Sequence, residues 1–383
     1  MRHHQLIIAT FLTVFSFSAG CQNIRKGSHT SGNTVTARAI TRLPVQLVES
    51  SGIAVSGSNR IWSHEDSGNK NELYCFDTTG ALLRTLLISN AVNIDWEDIA
   101  AGDDNSLYIG DFGNNNNSRK DLTIYIIPDP ETITGDVAEA GTIHFTLSDQ
   151  TAFPPPATSR NYDIEAMAWH ADSLYLFTKD RSKPFTGITK MYALPASPGT
   201  YTARLAGSQF IGNTVESGRI TAADINQNTG ELVLLTNQKI VSFRDYPENG
   251  FFEGTKTEYF FATPPGQNEA LAFTGNRKLY MTEEGKGDTP GFLYEIILPA
   301  PLSVGKLPET RQGLSVYPNP ARDLIRLSEM PLEPVHIYNL EGKEVFTAAL
   351  PANEVNLSQL VPGAYILSAR LKEEISRCLF LKQ

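Results

Sequence analysis

Cysteine is nearly absent: 383 residues contain three, Cys21, Cys75 and Cys378. Cys75 and Cys378 lie too far apart in the chain to form a disulfide framework, and no Cys-x-x-Cys or His-x-x-x-His occurs to suggest zinc. His64, His144 and His170 share no metal spacing. There is no Gly-x-Ser-x-Gly elbow and no phosphate-binding P-loop, and Ser67 has no neighbouring base to activate it. Positive charge is also in deficit, with 32 Lys and Arg against 42 Asp and Glu and a formal net charge of -10. An acidic chain without a long basic run lacks the field that supplies most nucleic-acid affinity, so nucleic acid is excluded as a partner. The one long apolar stretch, Leu6 to Phe17, is too short to span a membrane as a helix.

What is present is turn-rich and globular, with 41% hydrophobic residues, 29 Gly and 22 Pro. Helical periodicity is scarce. Short apolar runs ending in Gly, Asn, Asp or Pro recur throughout, which predicts an all-β chain. Leu73-Tyr74-Cys75-Phe76 alternates as a strand does, so Cys75 is expected to be a buried free thiol.

Between residues 43 and 300 one pattern repeats five times. Each unit has a start with small residues, a second strand ending in polar groups, and a third strand. The starts are Glu49-Ser50-Ser51-Gly52-Ile53-Ala54, Glu97-Asp98-Ile99-Ala100, Glu165-Ala166-Met167-Ala168, Thr221-Ala222-Ala223-Asp224 and Glu269-Ala270-Leu271-Ala272. A further strand often follows, as in Gly141 to Leu147 and Glu258 to Phe261. About 50 residues and up to four strands per unit fit a β-propeller blade, with the small residues at the crowded axis. Five blades are visible, and a degenerate sixth would fit the same reading. The last unit lacks a fourth strand, so Thr36 to Ile40 is expected to close the ring beside it.

The ends carry routing signals. Residues 1–20 read as a signal peptide: Arg2, the apolar Leu6 to Phe17, then Ser18-Ala19-Gly20 as a small-residue cleavage site. Cys21 follows directly, so the segment also resembles a bacterial lipoprotein signal with Cys21 lipidated, although Ser18 stands where such signals usually have Leu. Cleavage after Gly20 without lipid is the alternative. At the other end, Leu314-Ser315-Val316-Tyr317-Pro318-Asn319-Pro320-Ala321 is followed by Val335 to Lys343 and by Leu360-Val361-Pro362-Gly363-Ala364-Tyr365. This series resembles the type IX secretion C-terminal sorting domain over residues 313–383. The resemblance implies export across the outer membrane of a Gram-negative bacterium by the type IX machinery, to the medium or the cell surface. Physically it is a series of short strands with turns at Glu341-Gly342 and Pro362-Gly363, hence a small β-sandwich. The resulting division is 1–20 signal, 32–300 propeller, 301–312 linker and 313–383 sorting domain.

The repeats also resemble the phytase-like and esterase-like secreted propellers, through Trp62 to Gly68, Asp95 to Ala100 leading to Gly110-Asp111-Phe112-Gly113-Asn114-Asn115, and Ile220 to Asp224. That likeness describes shape more than activity. If the first two strands of a blade are antiparallel, Glu49 pairs with Asp66, Glu97 with Asp111, Glu165 with Asp180 and Glu269 with Glu283, all at one mouth of the channel. Such pairs repel by about 4 kcal/mol each at intermediate dielectric. Ca²⁺, which takes six to eight oxygens, would offset this. Solvated caps paired with Lys179, Arg181 or Arg219 would offset it as well. Two functions follow: a secreted binding module for a small molecule, glycan or protein, or a calcium-assisted hydrolase of a phosphoester, ester or lactone. In either case Lys179, Arg181 and Arg219 are candidate ligand contacts, with Lys183 and Lys286 as further cations for a hydrolytic clamp. Asn114 to Asn117 reads as a flexible loop tip.

Overall fold

The computed structural model describes residues 33–57, 59–300, 314–339, 342–349, 353–371 and 374–383. The expected signal segment at 1–20, Cys21 and the expected linker at 301–312 lie outside the described residues. The chain divides into two compact units, Met1–Pro299 and Ala300–Gln383.

In the first unit every repeat becomes a four-stranded antiparallel blade. The first is Ser50–Ser56, Arg60–Glu65, Glu72–Phe76 and Leu82–Ile88. The second is Trp96–Ala101, Leu107–Asp111, Leu122–Ile127 and Gly141–Leu147, and the third is Asp163–His170, Ser173–Lys179, Ile188–Pro195 and Gly199–Phe210. The fourth is Ala222–Ile225, Leu232–Leu235, Lys239–Arg244 and Thr255–Phe261. The fifth takes Asn268–Phe273, Lys278–Glu283 and Phe292–Ile297 from its own repeat. The N-terminal strand Arg38–Arg42 supplies its outermost member, antiparallel to Phe292–Ile297. The five inner strands neighbour one another in a closed cycle, so the propeller has five blades and the ring leaves no place for a sixth.

Three parallel pairings bind the rim. Asn33–Val35 lies along Thr255–Phe261, Val137–Ala138 along Leu82–Ile88, and the outer strands of blades two and three along each other. Between blades the core is apolar and aromatic. Trp62 and Trp96 are fully buried with Cys75 and Leu86 in one cluster, and Trp169 belongs to the cluster between blades two and three. Cys75 is a buried free thiol.

The second unit is a sandwich of a three-stranded sheet, Val316–Tyr317, Leu324–Leu327 and Glu354–Asn356, and a four-stranded sheet ordered Glu344–Ala348, Val335–Tyr338, Gly363–Leu371, Glu374–Lys382. Ile325, Ile337, Val355, Leu367 and Phe380 form its shared core. No helix of the described residues is long and apolar enough to cross a membrane.

Candidate functional site

The inner strands start at one mouth of the channel, and in four blades the start is irregular. Register shifts fall between Ser50 and Gly52, Trp96 and Asp98, Ile164 and Ala166, and Asn268 and Ala270. The skipped residues are Ser51, Glu97, Glu165 and Glu269. A bulge leaves its extra residue outside the ladder and re-aims its side chain. This device brings Glu97, Glu165 and Glu269 to the mouth, where they are only 6%, 3% and 7% exposed.

The same register sorts the expected pairs. Asp66 does lie beside Glu49, donating its N–H to the Glu49 carbonyl at 2.9 Å, while the side chains of Glu49, Asp111, Asp180 and Glu283 turn to other partners. Ser51, not Glu49, occupies the place of Glu97 in blade one; Glu49 is exposed and accepts a 2.6 Å hydrogen bond from Asn69. Opposite Asp111 stands Trp96, and Asp111 accepts from the Asp95 N–H and from Arg119 at 3.0 Å. Asp180 accepts backbone N–H bonds from Ser182, Thr186 and Gly187, so it closes a loop. Glu283 faces Asn268 and accepts from the Gly266 N–H at 2.7 Å. Each of these four acids is diverted by a local donor that strand-end proximity alone does not reveal.

In their place the fold adds Asp95, Asp163 and Glu284. Asp66, Asp95 and Glu97 each offer an oxygen within 4.8 Å of the others. Gly113 makes this approach possible: a Cβ there would collide with Glu97 Oε1 and stand 2.5 Å from Asp95 Oδ2. Among the described residues the Glu97 carboxyl has no hydrogen-bond or ion-pair partner, although the residue is almost wholly enclosed. Burial, and after it Glu165, pushes Glu97 well above the usual carboxylate range. Burial followed by Asp66 pushes Asp95 up to about 6 and Glu284 up to about 7. Burial also raises Glu269 to about 8, against the pull of Lys179.

On the blade-three side the charges are matched. Lys179 Nζ donates to Glu165 Oε2 at 2.8 Å, and Arg181 grips Glu165 Oε1 at 2.7 Å and Asp163 Oδ2 at 2.5 Å. Burial alone would raise Glu165, but Lys179 and Arg181 outweigh it and hold the carboxylate at about 2. Asp163, deeper and beside that charge, is pushed up by burial and then by Glu165. Replacing Lys179 by Met should therefore cost about 3 kcal/mol, at the low end for breaking a buried pair because Arg181 remains. Urea unfolding checks this, and Lys179→Met with Glu165→Gln should recover most of the loss.

Arg219 donates its Nε–H to the Asp180 carbonyl at 3.0 Å and has no carboxylate partner among the described residues. Three more oxygens on the mouth side are buried without partners among the described residues: Thr221 Oγ1, Asn237 Oδ1 and Asn268 Oδ1. The Asn114 to Asn117 loop is not a flexible tip. Asn114 and Asn117 are buried, and Asn117 Oδ1 accepts the Tyr162 N–H, tying blade two to blade three. Its Asn114 Oδ1 accepts from Ser118 and Arg119, an Asx-type closure that the Asn run itself could have signalled.

Comparison with known proteins bears on the two units differently. No curated protein matches the chain. Solved structures of similar form include PorZ, a surface component of the type IX secretion system of Porphyromonas gingivalis, at 13% identity and a TM-score of 0.36. That match covers 87% of this chain, which spans only 45% of PorZ. A gluconolactonase from Xanthomonas campestris matches at 10% identity and 0.37, over 70% of this chain and 87% of its own. The Malassezia sympodialis allergen Mala s 1 matches at 9% and 0.44, over 68% and 95%. At these scores none of the three bears on what the mouth binds. Residues 315–378 match the secretion system C-terminal sorting domain, in the segment where the sandwich folds. The chain therefore carries a type IX sorting domain, and it is a secreted or cell-surface protein of a Gram-negative bacterium.

Proposed function

We propose that the exported propeller is a binding module whose mouth takes its ligand through a divalent cation, Ca²⁺ by the character of the donors, held by Asp66, Asp95 and Glu97. The observation that carries this is the enclosed, unpartnered Glu97 carboxyl beside two further acids. A buried charge without a partner is costly, and a cation with hard oxygen ligands is the economical remedy. Three carboxylates leave coordination positions open for water and for a ligand. The unpaired oxygens of Thr221, Asn237 and Asn268 would accept from hydroxyl or amine donors on that ligand. A calcium-assisted hydrolase is the second reading, favoured by Arg219, whose guanidinium has no carboxylate partner among the described residues and would steady developing negative charge. Lys179 and Arg181 are already committed to Glu165 and Asp163.

Melting in millimolar Ca²⁺ against chelator tests the cation. At a hundredfold excess over Kd the gain is about 2.7 kcal/mol, or roughly 5–10 °C for a domain of this size. Glu97→Gln should remove it. The pH dependence follows from the raised carboxyls. Asp95, Glu284 and Glu269 hold protons more tightly folded than unfolded, so their contribution is full below about pH 4 and is lost as pH rises through 6 to 8. Without Ca²⁺ the propeller should lose stability from pH 5 to pH 8, and Ca²⁺ should restore it most at pH 8. A Ca²⁺ effect that is equal at both values, or absent, counts against the site. Release of nitrophenol from nitrophenyl esters or phosphates in Ca²⁺, lost in Arg219→Ala, would decide for the hydrolase.

A further inference from the structure

The channel has a second opening where the inner strands end. A cavity of about 320 Å³ lies there, lined by Ile53, Ala101, Asp224, Phe273 and Thr274 among others. Its volume is within the range of small-molecule sites. The walls come from blades one, two, four and five, and the charged group among them is Asp224. That carboxylate accepts the Ile225 N–H at 2.8 Å and the Phe273 N–H at 2.7 Å, one from each of two neighbouring inner strands. Asp98, farther up the channel, does the same for Ile99 and Met167, both at 2.8 Å. Inner strands are sheet edges, and these two acids take the place of the missing neighbour.

Neither carboxyl is given a counter-charge: neither Asp224 nor Asp98 has an ion-pair partner among the described residues. Burial raises Asp98 well above the usual range, with Asp224 adding to it, and raises Asp224 to about 7 despite its two hydrogen bonds. Each Asp224 oxygen receives one backbone bond and keeps a lone pair for another donor. The walls are mixed, with Asn226, Gln227 and Thr274 standing beside Ile53, Ala101 and Phe273, and a single carboxylate without a counter-charge among them selects for the positive head of a small organic cation.

We propose that this cavity is a second binding site, for a small organic cation whose ammonium group sits on Asp224 and whose alkyl body lies against Ile53, Ala101 and Phe273. The site is independent of the mouth and goes beyond the reading given for it. Calorimetry on the full chain at pH 8, comparing n-butylammonium with n-butanol, tests it, since the two probes share a body and differ in charge. The expected result is at least tenfold tighter binding of the cation. Asp224→Asn should abolish that preference, and Ala101→Leu, which fills the cavity and keeps the charge, should weaken the cation at least tenfold. Glu97→Gln should leave the preference intact. Equal affinity for the two probes overturns the proposal, as does a preference that survives Asp224→Asn or disappears in Glu97→Gln. Should Asp224→Asn fail to fold, unchanged cation binding in Ala101→Leu overturns it alone.

Discussion

A chain ended after Gly305 is expected to remain in the periplasm, with none reaching the medium or cell surface. The expectation rests on residues 315–378 matching the sorting domain and on the division of the chain at Pro299 and Ala300. Because the propeller has its own apolar clusters and its own closing strands, truncation removes the routing module without opening the ring. A single change should act the same way. Ile337 is fully buried in the sandwich core, and Ile337→Asp would place an unpaired charge there, which a module of this size cannot accommodate. Fractionation with an antibody to the propeller distinguishes the outcomes. Undiminished export of the truncated chain would falsify the routing role of this domain.

Deleting residues 33–42 should be the most destabilising change to the propeller that leaves its five inner strands intact. Two pairings go at once: Arg38–Arg42 from the outer edge of blade five and Asn33–Val35 from the outer edge of blade four. Val35 is 3% exposed and packs with Tyr259 and Phe261, and Ile40 packs against the cluster of Leu43 and Leu293. Burying Val35 contributes about 1.5–3 kcal/mol, and the half-buried Ile40 about half as much. The exposed strand of blade five also becomes an unpaired edge open to aggregation. With the ladder hydrogen bonds of both pairings added, a loss of about 4 kcal/mol follows, or roughly 10 °C in melting temperature. A peptide of residues 33–42 added in excess should recover part of it. A deletion that melts like the parent would mean that these strands rest on the rim without closing it.

Much of the architecture is legible in the residues. Alternation over short runs, small residues at each repeat start and turn residues between them mark the strands, because a strand's two faces are set by neighbours two apart in the chain. The closing role of the N-terminal strand follows from simple accounting of a missing partner. The long fourth strand of blade three, Gly199–Phe210, is less visible: its exposed and buried residues alternate weakly, and Leu82–Ile88 in blade one is half exposed for the same reason.

The candidate site divides differently. Glu97, Glu165 and Glu269 align from the repeat alone, since one step of the repeat puts like residues in like places; Lys179 and Arg181 belong to one blade only, and their hold on Glu165 and Asp163 comes from the fold. Which acids stand together was decided only in three dimensions. A bulge shifts register by one residue, and with a period of two that exchanges the faces, so Ser51 takes the place expected of Glu49. Asp95 joins from the loop before its strand, admitted by the missing Cβ of Gly113, while Arg119 draws Asp111 away. These choices depend on donors brought from other loops and blades. Local pattern places a carboxylate at the mouth; the tertiary structure determines whether it meets a cation, a backbone N–H or another carboxylate.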